Sequence, residues 1–345
     1  MLLLLLLLLF HIYIFFCIYI YTYLRFYHYL CHCLCFLLSL YSKSDCLIIG
    51  GIRYFQMSFG FFGYSRRQQH NWPREFKDCG GKYQSPIELS PSKSIILPLP
   101  SLELLGYHNY LPRLTIANNG HSVALEVDNN NLKLNRKLPY IFGATLEDNE
   151  GYEFSGLHFH WGLKNNHGSE HVVNGIRYPM EMHIIHKNKL YLDIKEAQKH
   201  KNGLVVLGIF FQLRDEDNNN LNPILKNFQP LKWVDSSLKM NLSITLKSLL
   251  PSDIDTYYTY RGSLTTPPCS EAVTWIIFTN PIPISFKQLN KFRSLSNGED
   301  ILGDNFRKLQ DLGKRKLYLR KLNDDFANKY DSGNFNISNL EWIWE

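Results

Sequence analysis

Two short stretches carry residues that could do metal chemistry. His158-Phe159-His160 lies in an alternating segment, residues 152–161. In a strand, residues i and i+2 face one side, so His158 and His160 project together while Phe159 packs on the opposite face. A second strand-like run, Glu181-Met182-His183-Ile184-Ile185-His186, offers His183. Three neutral imidazoles from neighbouring strands leave a tetrahedral metal ion one open position. That is the arrangement of catalytic zinc, whereas structural zinc is closed by four ligands. The two-residue spacing differs from the helical HExxH motif. Taken singly, a strand histidine is more often a packed residue than a ligand, so the pair needs support from its surroundings.

The elements that must position these groups read as β. From Phe59 onward, short apolar runs alternate with turn signals. Residues 114–117 are followed by Asn118-Asn119-Gly120, and residues 121–127 alternate. Residues 203–213 are continuously apolar, as in a strand buried on both faces. Residues 272–278 are strand-like and end at Asn280-Pro281. Helical spacing appears over 193–200 and 286–295. Residues 314–321 (KRKLYLRK) alternate charge with Leu317 and Leu319 and read as a solvated edge strand blunted by Lys and Arg. No internal repeat and no interdomain linker is visible.

The wider text gives the pair its support. HFHWG at 158–162, GSEH at 168–171, EMHIIH at 181–186, GLVVLGIFF at 203–211 and GSLTTPP at 262–268 occur in order. Together these resemble an α-class carbonic anhydrase, from about Phe59 to about Leu322, roughly three quarters of the chain. The resemblance implies a mainly β (α+β) fold. It would be a single domain around a large twisted, mostly antiparallel ten-stranded sheet with short peripheral helices. It also implies zinc at the base of a conical cleft, and reversible hydration of carbon dioxide to bicarbonate and a proton. A zinc-bound hydroxide would attack, and a histidine would shuttle the proton.

Each role falls on a residue of this sequence. His158, His160 and His183 match the Zn2+ ligands. Thr265 matches the threonine that accepts a hydrogen bond from the hydroxide, and Glu170 the carboxylate that accepts the proton of that threonine. Glu181 matches the acceptor that orients His183, a kind of support that fixes the ligand tautomer. Val206, Leu264 and Trp275, with Ile185 and Thr266, match the substrate pocket. His121 in NNGHS matches the proton shuttle, a role suited to imidazole's unperturbed pKa of about 6.5. Tyr64, Asn119, Asn305 and Arg307 match residues at or around the polar cleft lining. His171 is expected to support the site. His186 is expected to face away from His183, in packing or at the surface. His70, His108, His167 and His200 are expected at the surface. Four positions depart from the family pattern. Gly156 stands where a glutamine often bonds the first ligand, Ala124 replaces a cleft asparagine, Arg261 a proline, and Phe62 an N-terminal tryptophan. None of them removes a ligand.

Cysteine use bears on the compartment. Five of the seven cysteines lie before residue 50; only Cys79 and Cys269 fall in the domain. They match the single disulfide of secreted and membrane-bound family members, and disulfides persist in oxidising compartments. Residues 1–24 hold no charged residue, and about 20 apolar residues can cross a bilayer. Three readings of residues 1–57 compete. They are a signal peptide or anchor, a Cys/His metal tract around Cys31-His32-Cys33, or translated non-coding text ahead of a true start at Met57. The first makes the protein secreted or membrane-anchored outside the cell; a start at Met57 makes it cytoplasmic. The expected division is thus an N-terminal segment 1–57, a domain 58–322 and a polar extension 323–345. Asn241 and Asn336 fit the glycosylation acceptor pattern.

Composition sets the outer bounds. Hydrophobic residues are 45% and charged residues 20%, which excludes disordered, collagen-like and coiled-coil classes. Lys plus Arg is 37 against 31 Asp plus Glu, a spread excess of +6 that gives no reason to expect nucleic acid. The expected partners are carbon dioxide and bicarbonate, with a monomeric domain that meets a membrane only through its N-terminal segment. One rival class is a catalytically silent binding module of the same fold, which would lack a zinc histidine. Ester hydrolysis is at most a side reaction.

Overall fold

The computed structural model describes residues 62–127, 137–146, 151–240 and 243–322. The apolar segment with Met57, the acceptors Asn241 and Asn336, and the extension 323–345 lie outside the described residues. Among the described residues no helix is long and apolar enough to cross a membrane.

The domain opens with helix α1 (Arg66–Glu75). Ser65 caps it: its hydroxyl accepts from Gln68 N, and the Gln68 side chain returns to the Ser65 backbone, so each satisfies an orphan donor. The first six strands are β1 (Glu88–Leu89), β2 (Ile95–Leu97), β3 (Leu102–Leu105), β4 (Leu114–Asn118), β5 (Val123–Val127) and β6 (Tyr140–Gly143). The middle of the chain gives β7 (Tyr152–Trp161), β8 (Val172–Val173), β9 (Met180–Asn188), α2 (Ile194–Ala197), β10 (Leu204–Arg214), α3 (Asn222–Leu225) and β11 (Ser236–Met240). The last elements are β12 (Tyr257–Gly262), β13 (Val273–Phe278), β14 (Ile282–Ser285), α4 (Phe286–Phe292) and β15 (Tyr318–Arg320).

One sheet follows the path β11-β4-β5-β7-β9-β10-β13-β12-β15-β2. That path has ten strands, and with the strands attached off it the sheet has thirteen, three more than the ten expected. Along the path only the β10–β13 and β15–β2 pairs are parallel. Three further strands attach off the path: β14 on β10, β6 on β7, and β3 on β6. Strands β1 and β8 form a separate pair.

Alternation sorts the side chains into two cores. Leu157, Phe159 and Trp161 of β7, Met182 and Ile184 of β9, and Leu207 and Ile209 of β10 enter the larger one. Val206, Phe210, Val273, Trp275 and Ile277 belong to the smaller. His158, His160, Glu181 and His183 occupy the alternate positions of the same strands, so they cannot share the larger core.

The edge-strand expectation for residues 314–321 is corrected. β15 covers only Tyr318–Arg320 and lies between β12 and β2, inside the sheet. Arg320 and Arg315 are buried. Arg320 donates to Leu99 O at 2.7 Å and to Asp255 O at 2.6 Å, and Arg315 donates to Arg261 O at 3.0 Å and Asp311 O at 2.6 Å. Fixed carbonyls offset the cost of burying a guanidinium, and alternation alone does not reveal whether a strand's flanks are paired. The helical expectation over 193–200 shrinks to α2, and that over 286–295 to α4.

Candidate metal centre

β7 and β9 pair so that His158 faces His183 and His160 faces Glu181. Three ring nitrogens converge. His158 Nε2 to His160 Nε2 is 3.0 Å, His160 Nε2 to His183 Nδ1 is 3.1 Å, and His183 Nδ1 to His158 Nε2 is 3.3 Å. Their outer nitrogens settle two tautomers. His160 Nδ1 donates to Asn305 O at 2.7 Å, and His183 Nε2 donates to Glu181 Oε1 at 2.8 Å. The inner nitrogens of both therefore carry lone pairs. Nitrogens about 2.05 Å from a tetrahedral zinc stand about 3.3 Å apart, so the donor set and its spacing fit zinc. Burial, with the neighbouring histidines, pushes His158 well below its usual range, lowers His183, and takes His160 to about 4. Neutral imidazole is the form that ligates.

His171, Glu181 and His183 also lie within ligand distance of one another, but the Glu181 carboxylate is already saturated. Its Oε1 accepts from His183 Nε2 at 2.8 Å and His171 Nδ1 at 2.7 Å, and its Oε2 accepts from the amides of Glu170 and His171, each at 2.8 Å. Burial works to raise Glu181, yet His171 and His183 outweigh it and hold the carboxyl well below the usual range. His171 Nε2 in turn lies 2.8 Å from Tyr260 OH, itself 2.8 Å from Ser85 Oγ. His171 thus braces Glu181, as expected.

His158 is the exception. Among the described residues no hydrogen bond reaches its Nδ1. Gly156 has no side chain to supply one, and there is a packing reason: a Cβ there would stand 2.7 Å from Leu125 O. The strand pairing also slips between Phe154 and Gly156.

Glu170 is fully buried, and its Oε1 accepts from Arg307 N at 2.7 Å. Its Oε2 has no hydrogen bond of good geometry and lies 3.5 Å from His160 Nε2. Burial raises this carboxyl, opposed by His183 and by the nearby Thr265 hydroxyl. Thr265 is a close neighbour of Glu170, and among the described residues no hydrogen bond of good geometry joins them. Thr265 sits in a turn closed by Leu264 N to Ser270 O at 3.0 Å and Cys269 N to Thr266 O at 2.8 Å. The Cys79–Cys269 disulfide, with Cα atoms 4.8 Å apart, fastens that turn. Val206 faces Ile185 on one side and Trp275 on the other. Leu264 packs on the same cluster, so the four residues form one apolar wall. Thr266 is half-buried beside them.

His121 is half-buried. Its ring stacks on Phe62 at 3.9 Å, 8° from parallel, with the Tyr64 ring edge-on at 6.2 Å. Burial lowers its pKa, partly offset by Asp235. Asn119 is exposed and its Oδ1 fixes the turn by accepting from His121 N and Ser122 N. Asn305 and Arg307 are buried rather than lining a cleft, because their polar groups are turned inward. Asn305 bonds His160, Trp161 and the backbone of His121, and the Arg307 side chain bonds Cys79 O, Gln84 Oε1 and Ser85 O. Sequence reasoning missed the braces Ser85 and Tyr260. Ser and Tyr in such settings carry no spacing signal of their own.

Comparison with known proteins agrees with this geometry. The family described as eukaryotic-type carbonic anhydrase matches residues 67–321. Carbonic anhydrase 7 of Mus musculus is 38% identical over 252 residues, covering 71% of this chain and 91% of the relative. Carbonic anhydrase 6 of Bos taurus is 31% identical over 253 residues, covering 72% and 76%. The dog protein of that name is 33% identical over 253 residues, covering 72% and 75%. The chain therefore belongs to the carbonic anhydrase family, enzymes of the lyase class that act on carbon dioxide and bicarbonate.

Proposed function

We propose that this protein is a zinc-dependent carbonic anhydrase, converting carbon dioxide and water to bicarbonate and a proton. One observation carries the reading: three imidazole nitrogens 3.0–3.3 Å apart, two of them with their tautomers set by carbonyl and carboxylate acceptors. His158 Nε2, His160 Nε2 and His183 Nδ1 would hold the ion and leave one position open. Zinc so bound lowers the pKa of its water to about 7, with carbonic anhydrase as the reference case.

The chain's own residues supply the rest. Val206, Leu264, Trp275 and Ile185 offer an apolar wall to an uncharged substrate, which needs no anion clamp. Glu170, held by Arg307 N, would accept a hydrogen bond from the Thr265 hydroxyl, so that the threonine oxygen acts as an acceptor and selects a donor beside it. His121 takes the released proton and passes it to solvent. We assign residues 58–322 to the enzyme domain. We also infer an oxidising compartment, supported by the closed Cys79–Cys269 bridge.

The test is zinc content and carbon dioxide hydration of the wild type and of His160→Ala. One zinc per chain with activity, both lost in the variant, is the expected result. Full activity in the variant sinks the site; stoichiometric zinc without hydration would leave a silent binding module.

A further inference from the structure

Residues 302–312 run without helix or strand. No ladder holds such a stretch, so individual hydrogen bonds must place it. Its inner side touches three groups of the site. Asn305 O accepts from His160 Nδ1 at 2.7 Å, Asn305 Nδ2 donates to His121 O at 2.8 Å, and Arg307 N donates to Glu170 Oε1 at 2.7 Å. A displacement of this stretch moves all three together.

One side chain grips its outer side. Gln69 of α1 is buried. Its Nε2 donates to Phe306 O at 3.2 Å and to Tyr64 O at 2.6 Å, while its Oε1 accepts from Lys308 N at 2.8 Å. The amide is satisfied in this orientation only. Flipped, its oxygen would face two carbonyls and its NH2 a backbone N–H. Gln69 thus clips two segments more than 230 residues apart, with a separation of 237 to Phe306. The second segment holds Tyr64 and Phe62, the rings around His121.

We propose that Gln69 is a positioning residue: it fixes residues 305–308 against residues 62–64, and so sets His160, Glu170 and His121 at once. The inference rests on the zinc-hydratase reading above. Gln69→Met keeps the length and shape of the side chain but makes none of the three bonds. In the zinc-loaded full chain it should release zinc to a chelator about 3–10-fold faster and lower kcat/KM by a similar factor. That is less than the 10–100-fold typical of groups that touch a ligand directly. Gln69→Glu, which turns a carboxylate oxygen on two carbonyls, should be worse than Gln69→Met and serves if that variant folds poorly. Ile224→Ala, in the larger core, should lower the thermal midpoint while leaving zinc release unchanged. If both Gln69 variants match wild type in zinc release and kcat/KM, the proposal fails and the hydratase reading stands. If the wild type binds no zinc, both fail.

Discussion

Three imidazoles can aim lone pairs at one point only when their outer nitrogens keep the protons. His160 and His183 have built acceptors; His158 has none among the described residues. The site is therefore braced on two legs out of three. The proton shuttle proposed for His121 is a separate matter, since its ring contacts Phe62 and Tyr64 rather than the three clustered imidazoles. His121→Ala should lower turnover in weak buffer, leave kcat/KM nearly unchanged, and be rescued by added imidazole; an unrescued loss would assign the proton another exit. His186 shows a different side of histidine chemistry. It is fully buried, 2.6 Å from Tyr107 OH, and burial takes its pKa down to about 3. An unfolded chain takes up that proton near pH 6.5. Between pH 6.5 and about 3 the unfolded state binds more protons, so stability falls as pH falls through that window. His186→Phe should lower the urea midpoint at pH 7 yet shrink the further drop on going to pH 5. An equal drop in both proteins would contradict this. At this scale the sequence spoke clearly where residue type and spacing coincide, as in His-x-His. It named Asn305 only through the family resemblance, as a residue at or around the cleft lining, and did not show its contact with His160, which is made by a backbone carbonyl that every residue type possesses.

Strands turn that chemistry into geometry. β7 sends His158 and His160 one way and Phe159 the other, into the larger core against Phe211 and Phe292. Phe159→Ala removes the wedge behind both ligands. The expected cost is about 3–5 kcal/mol by the usual cavity scale, with weaker zinc binding as well, read by denaturant melts and metal titration. Stability loss without a change in zinc affinity would show that the ladder alone holds the ligands. Strands such as β4, β5, β7 and β10 were legible as alternating or continuously apolar runs, while the count of ten came only from the family resemblance. The place of β15 was not legible. Pairing partners lie far away in sequence, and the arginines that looked like solvated blunting are bonded to carbonyls of β12 and the loops.

For the whole molecule, one long-range constraint is covalent. Cys79 and Cys269 are 190 residues apart. In the chain-entropy model a loop of that size is worth about 5 kcal/mol at most. Mass measurement should show a gain of two hydrogens on reduction. Cys79→Ser should lower the thermal midpoint and slacken the turn that carries Thr265, reducing activity more than zinc content. Equal midpoints for variant and wild type would mean that the fold does not depend on the bridge.

The interior position of β15 has a consequence for how the protein comes into being. A ribosome makes β2 early and β15 near the end of the domain, yet β15 is the strand that joins β2 to β12. Asn305 and Arg307, which seat His160 and Glu170, also emerge late. A nascent chain that stops short of residue 305 holds all three histidines of the proposed site but not the carbonyl that orients His160. If the proposed zinc site is right, metal capture with full affinity belongs to the finished polypeptide, and stalled chains should be poor competitors for scarce cellular zinc.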